Sequence, residues 1–198
     1  MYYLVDTNVF LHAINDKIFS VAEVCRKNGT EITITETILN ELEPGYYLES
    51  GDPTARQVYT AVNNLARGTM GFKVIRLLKI DDVPGAKAEL KKIRTRFYSW
   101  MRDPAYLQKL ISEGIITAED VKKNSFRNKD MGECELIAIA KTCEDDCEIV
   151  SNDKGRVFLH PNQNLFDEVA SNEGLIVISS EDWLKKIGYS NSQSEKVV

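Results

Sequence analysis

Apolar residues follow two alternating rhythms along this chain. Short runs rich in β-formers, "YYLV", "EITIT", "FKVIRLLKI", "CEIVSND" and "LIVIS", read as strands. Between them the apolar positions fall at helical spacing. In "TNVFLHAIN" they are Val9, Phe10, Ala13 and Ile14, "KIFSVAEVCRKNG" reads as a helix ending at Gly29, and "ETILNELEP" as one stopped by Pro44. "DPTARQVYTAVNNLARG" carries a complete set of end signals: Asp52 as N-cap, Pro53 at the first helical position and Gly68 past the end. A helix with a basic face is predicted over 84–101, followed by two short helices in "DPAYLQKLISEG" and "TAEDVKKN". "MGECELIAIAKTC" is a helix with an almost wholly apolar middle, and "NLFDEVASNEG" and "EDWLKKIG" are the last two. The polar stretch 189–198 reads as a flexible tail.

Strands alternating with helices imply an α/β fold with a central, mainly parallel sheet covered by helices on both faces, since parallel neighbours need crossover connections. In such a sheet ligands bind at the carboxyl ends of the strands. No repeat or linker divides the chain, so 1–188 is expected to form one domain. With 198 residues and 43% apolar content it can close a sizeable core.

Charge and cysteine usage narrow the chemistry. A formal charge of −5 and a pI near 5.2 exclude binding of nucleic acid by bulk electrostatics, but leave room for a site where metals and a local basic patch handle phosphates. Cys25, Cys134, Cys143 and Cys147 lack the second pair or nearby histidine of a zinc site and read as thiols. No run approaches the ~20 apolar residues of a membrane span, and residues 1–15 have no signal-peptide pattern, so a cytoplasmic protein is expected.

The candidate chemistry is acidic. Asp6 ends the first strand and Asp153 follows the fourth, so the fold class puts both at one edge of the sheet. Glu41 lies on the helix after the second strand, and Glu133 and Glu135 open the apolar helix before the fourth. Carboxylates crowded in a partly buried site raise one another's pKa values and need neutralisation by protons or cations. A set with neither Cys nor His favours Mg²⁺ or Mn²⁺, and such ions favour hydrolysis at phosphorus.

With "VDTN", "ILNEL", "GECELIAIA" and "IVSNDKG" in this order, the sequence resembles the PIN-domain nucleases. The resemblance covers about 1–43, 52–80 and 130–188, and it leaves the helices at 103–128 as an insertion before the third acidic motif. It implies a three-layer α/β/α fold and a metal-dependent ribonuclease that leaves 5′-phosphate and 3′-hydroxyl ends. Asp6, Glu41, Glu133 and Asp153 would be its catalytic acids, Glu135 a further metal ligand, and Asn8 and Asn152 would assist. The E-x-E spacing is similar also to flap endonucleases. RNA is the implied substrate, with an antitoxin-like inhibitor or a second copy of the chain as partners.

Other readings of the same residues stay open at this level. Asp6 could cap the helix that follows it, Asp130 and Glu133 have capping-box spacing, Glu41 could belong to a solvated face, and "SNDKG" is an ordinary turn. A structure-specific DNA nuclease and a non-catalytic PIN-fold scaffold are the competing functions. Lys91, Lys92, Arg94 and Arg96 on the basic helix, and Lys154 and Arg156 beside Asp153, are candidate nucleic-acid contacts.

Overall fold

An apolar strand needs cover on both faces, and a parallel sheet between helices provides it. The computed structural model describes residues 1–69, 73–143 and 146–190, apart from the side chains at 161 and 162. In chain order the strands are β1 (Tyr2–Val5), β2 (Glu31–Thr35), β3 (Ile75–Leu78), β4 (Cys147–Val150), β5 (Arg156–Val157), β6 (His160–Asn164) and β7 (Val177–Ile178). The helices are α1 (Ile18–Lys27), α2 (Glu36–Glu41), α3 (Pro53–Arg67), α4 (Ala86–Tyr98), α5 (Pro104–Ser112), α6 (Ala118–Lys123), α7 (Met131–Thr142), α8 (Leu165–Glu173) and α9 (Ser180–Lys186).

Five strands pair in parallel in the order β3-β2-β1-β4-β7, the α/β architecture that the periodicity predicts. From β1 the chain steps outward through β2 to β3, then returns across the sheet to β4 and goes on to β7. Right-handed crossovers made in opposite directions put their helices on opposite faces. Accordingly α1 packs on α3 as one flank, and α7, carrying α4 and α8, lies across β1, β2 and β4 as the other. The direction of winding reverses between β1 and β4, and at such a point the loops at the carboxyl edge part to leave a crevice. The core beneath it is continuous from Tyr3, Leu4 and Val5 through Leu136, Ile137 and Ile139 to Trp183, all buried.

Several elements depart from the pattern. The helix expected directly after Asp6 is a single π-helical turn, Val9–Ala13, closed by the Ile14 N–H on the Val9 carbonyl at 3.0 Å. The basic helix gives way after Tyr98 to a 3₁₀ turn, Ser99–Arg102. The antiparallel pair β5 and β6, turning at Leu159 with φ of +64°, has no counterpart in the expected elements. Helices α5 and α6 form as expected, and this region closes on an aromatic cluster in which Trp100 meets Tyr106, Phe126, Phe158 and His160 with ring centroids 5.8 to 6.2 Å apart. The start of the expected third strand at Phe72, and the tail from 191, lie outside the described residues.

Candidate active site at the carboxyl edge of the sheet

The register of the two central strands builds the first half of the site. Val5 pairs with Val150, so Asp6 and Ser151 are the next residues out from each strand. The Asp6 N–H still bonds the Val150 carbonyl at 3.0 Å, which holds the acid at the strand end. The Asp6 side chain is buried, 2% exposed. Its Oδ1 accepts the Thr7 N–H at 2.7 Å, and its Oδ2 accepts the Ser151 hydroxyl at 2.7 Å and the Asn8 amide at 2.5 Å. Burial pushes its pKa up to about 6, the three donors pull against that shift, and the nearby Asp153 adds to it. Asp6 therefore does not cap a following helix; its oxygens are taken up by groups that fix its orientation.

Glu41 comes from the last turn of α2, whose start is capped by Thr35 through the Ile38 N–H at 3.2 Å. The side chain is 2% exposed, which rules out a solvated face. Thr7 donates its hydroxyl to Oε2 at 2.6 Å, while Oε1 is buried without a hydrogen-bond partner. Burial raises the pKa to about 7, with the Thr7 hydrogen bond opposing and Asp6 contributing. The carboxylate fits because residue 132 is glycine: a Cβ there would lie 2.7 Å from Ile38 Cδ1 and 2.8 and 2.9 Å from the two Glu41 oxygens.

Glu133 meets Asp6 and Glu41 from the first turn of α7. Its pKa is raised well above the ordinary value, by burial first and then by Asp6 and Glu41. Its Oε2 is buried without a partner. No capping box forms, because Asp130 sits at φ of +54° and makes no side-chain cap. Asp130 instead accepts the Tyr98 hydroxyl and the Phe158 N–H, each at 2.7 Å, tying the start of α7 to α4 and to the β5–β6 turn.

Glu135 and Asn152 make their side-chain hydrogen bonds outside the cleft. Glu135 lies two residues past Glu133, about 200° around the helix; it accepts the Thr37 hydroxyl at 2.9 Å, does not line the cleft, and acts on the site through its charge beside Glu41. Asn152 does not assist the acids with its side chain, which accepts the Ser180 N–H at 2.9 Å at the start of α9; its backbone N–H holds Asn8 Oδ1 at 3.1 Å. Asp153 is exposed and shares the crevice, with Oδ1 on the Gly155 N–H at 3.0 Å, so the residue both shapes its turn and faces Asp6.

Asp6, Asp130, Glu133 and Asp153 line one cleft of about 360 Å³, together with His12, Tyr47 and Arg156. Thr7, Ser151, Asp130, Gly132 and Tyr47 are the participants that sequence reasoning missed. Ser151 alone had a signal, its place just past an apolar strand, as Asp6 is. Carboxylate oxygens are the donor type that hard divalent cations take, and Glu41 Oε1 and Glu133 Oε2 are buried without a hydrogen-bond partner, which is costly for a carboxylate. Among the described residues, no three or more Asp, Glu, His or Cys side chains are grouped so that they could hold a metal ion as they stand.

No family model and no curated protein matches the chain. Among solved structures it is similar to VapBC2 from Rickettsia felis bound to a DNA fragment from their promoter, at 16% identity and a TM-score of 0.46, over 90% of this chain and 98% of that one. At that distance the likeness is one of overall shape alone.

The basic residues separate into two groups. Arg94 is committed to the fold: it donates to the Lys129 and Arg127 carbonyls at 2.7 and 2.8 Å and lies over the Tyr98 ring at 3.8 Å. Arg96 pairs with Glu168 at 3.0 Å and Glu173 at 3.7 Å, and Lys92 with Glu89 at 2.9 Å. The density of cations on α4 is thus matched by acids reaching over from α8 and from α4 itself, which the linear sequence hides. Lys91 is exposed on the same helix. Lys154 is exposed in the turn after Asp153, and Arg156 lines the cleft itself.

Proposed function

We propose that the protein is a metal-dependent endoribonuclease working at this cleft. The observation that carries the reading is a cleft at the switch point of the sheet lined by Asp6, Glu133 and Asp153, with Glu41 held behind it by Thr7 and with buried carboxylate oxygens on Glu41 and Glu133 left without a hydrogen-bond partner. Asp6, Glu41, Glu133 and Asp153 would hold Mg²⁺ or Mn²⁺. An ion there supplies charge neutralisation at the scissile phosphate and lowers the pKa of the attacking water.

The protein's own part is orientation and exclusion. Ser151, Asn8 and the Thr7 N–H fix both oxygens of Asp6, and the Thr7 hydroxyl fixes one oxygen of Glu41. Arg156 brings a guanidinium to the cleft, suited to a phosphate of the bound chain. Cleavage of the P–O3′ bond by water would leave 5′-phosphate and 3′-hydroxyl ends. RNA is the substrate of this reading; an antitoxin-like inhibitor and a self-associated form belong to it as partners through the sequence resemblance. No helix among the described residues is long and apolar enough to cross a membrane.

The test is cleavage of RNA and DNA panels with Mg²⁺ or Mn²⁺, with Asp6→Asn and Asp153→Asn as controls for contaminating nucleases. Metal-dependent RNA cleavage lost in both variants, with folded protein in each, is expected. Equal activity in wild type and both variants would remove the assignment.

A further inference from the structure

Beside the acids stands a feature that hydrolysis itself does not use. The chain between α2 and α3 presents two adjacent tyrosines, Tyr46 and Tyr47, 48% and 51% exposed. Their rings pack edge to face, with centroids 4.8 Å apart and planes at 71°. The turn that carries them is well tied. Gly45, at φ of +99°, donates its N–H to the Leu48 carbonyl at 2.8 Å, Tyr46 donates to the Glu43 carbonyl at 3.0 Å, and Leu48 packs on the core. On the far side of the turn Arg56 bonds the Ser50 carbonyl at 3.2 and 3.3 Å.

A lone exposed aromatic is ordinary, but a coupled pair on a braced turn is an apolar surface kept in water. Its position says what covers it. Tyr47 is part of the cleft wall. It arrives from the chain that follows β2, whereas Arg156 arrives from the chain that follows β4, and β1 with Asp6 lies between those strands. A polymer crossing Asp6 from one side to the other meets an aromatic surface at one end and a cation at the other. Alternating planar bases and phosphates have that chemistry.

We propose that Tyr46 and Tyr47 form a base-stacking platform that seats an unpaired nucleobase beside the scissile phosphate and makes the cleft selective for single-stranded RNA. A base inside a duplex already has both faces stacked and cannot offer one to a tyrosine without being extruded. The nuclease reading supplies only the identity of the neighbouring phosphate; the platform itself is a binding property and can be measured without turnover.

The experiment uses the full chain carrying Asp6→Asn, so that the probe survives. Binding of a short single-stranded RNA, of its duplex, and of the single strand with one abasic position is measured before and after the paired change Tyr46→Leu and Tyr47→Leu. Affinity for the single strand should fall about tenfold to a hundredfold, and the duplex should bind more weakly than the single strand at the outset. The abasic strand should lose part of that advantage when the gap falls at the platform. Tyr47→Trp should keep the affinity, and the fluorescence it adds to that of the two native tryptophans should be quenched by RNA and not by inorganic phosphate. Unchanged single-strand affinity in the leucine pair, or duplex bound as tightly as single strand, overturns the platform even if the wild type cuts RNA. Loss of single-strand affinity in a protein whose wild type cuts nothing supports the platform and removes the nuclease reading.

Discussion

Gly132 shows how one hydrogen atom can decide the shape of a site. Any side chain there enters space held by the Glu41 carboxylate and Ile38. Overpacking of this kind costs about 1–3 kcal/mol, and a displaced catalytic group of about 1 Å can cost on the order of a hundredfold in rate. Gly132→Ala is therefore expected to lower the melting temperature by a few degrees and to reduce cleavage far more than that loss explains, read from activity per folded molecule. Ser151 acts on its neighbour more gently. Its hydroxyl is the largest of the influences holding down the Asp6 pKa. Ser151→Ala should raise that pKa, so the acid side of the pH–rate profile should move to higher pH while activity at pH 8 to 9 is largely kept. An unshifted profile would show that the hydroxyl does not tune Asp6.

At the scale of elements, the carboxyl edge depends on how α4 grips the chain leading into α7. Arg94 fastens the carbonyls of Arg127 and Lys129 just before Asp130, and Tyr98 fastens Asp130 itself. Lys141 joins the other end of α7 to Glu89 of α4 and, at 2.5 Å, to Glu173 of α8. Arg94→Ala should lower both stability and cleavage, because the Arg127 and Lys129 carbonyls lose the donor that fixes the chain entering α7, on which Glu133 stands. Arg96→Ala, which breaks exposed pairs, should cost about 1 kcal/mol or less. For substrate contact the order reverses along the chain: replacing Lys154 and Arg156 together by Ala should reduce the salt slope of RNA binding by about one per lost phosphate contact, whereas replacing Lys91 and Lys92 should leave it nearly unchanged. Binding titrations between low and physiological salt separate the two.

For the whole molecule, the buried acids couple stability to pH. Asp6 and Glu41 have folded-state pKa values of about 6 and about 7, against ordinary values of 3.8 and 4.5. The folded protein thus holds these protons more tightly than the unfolded chain does. Their stabilising contribution is complete below about pH 4 and is lost as pH rises through 6 and 7. Metal-free protein should accordingly lose stability between pH 5 and 8 in denaturant titrations, and Glu41→Gln should flatten that slope. On the proposed function Mg²⁺ or Mn²⁺ should reverse the loss at pH 8, by about 2.7 kcal/mol at a hundredfold excess over its dissociation constant, and should do little at pH 5, where protons occupy the site. A metal-free stability that rises from pH 5 to 8 would contradict the buried, crowded state of these carboxylates.

What the sequence by itself determined was whatever depends on neighbours in the chain. Strand and helix rhythms, the caps of α3 at Asp52 and Gly68, and the position of Asp6 and Asp153 just past apolar strands are local properties, so the α/β class and the carboxyl edge could be read directly. Only the tertiary structure decided which atoms meet there. The phase of α7 against β1, β2 and β4 turns Glu133 into the cleft and Glu135 out of it, and that phase is a matter of packing rather than of the spacing E-x-E. Strand register sets Ser151 against Asp6 across 145 residues, and Thr7 reaches Glu41 across 34. Arg94 and Arg96 read as candidate nucleic-acid contacts because their partners lie on other elements, and nothing in the spacing of Tyr46 and Tyr47 marks them before the turn that carries them is seen beside the acids. Hydrogen bonds, ion pairs and close packing act over a few ångströms in space, and residues far apart in sequence come within that range only when the chain has folded.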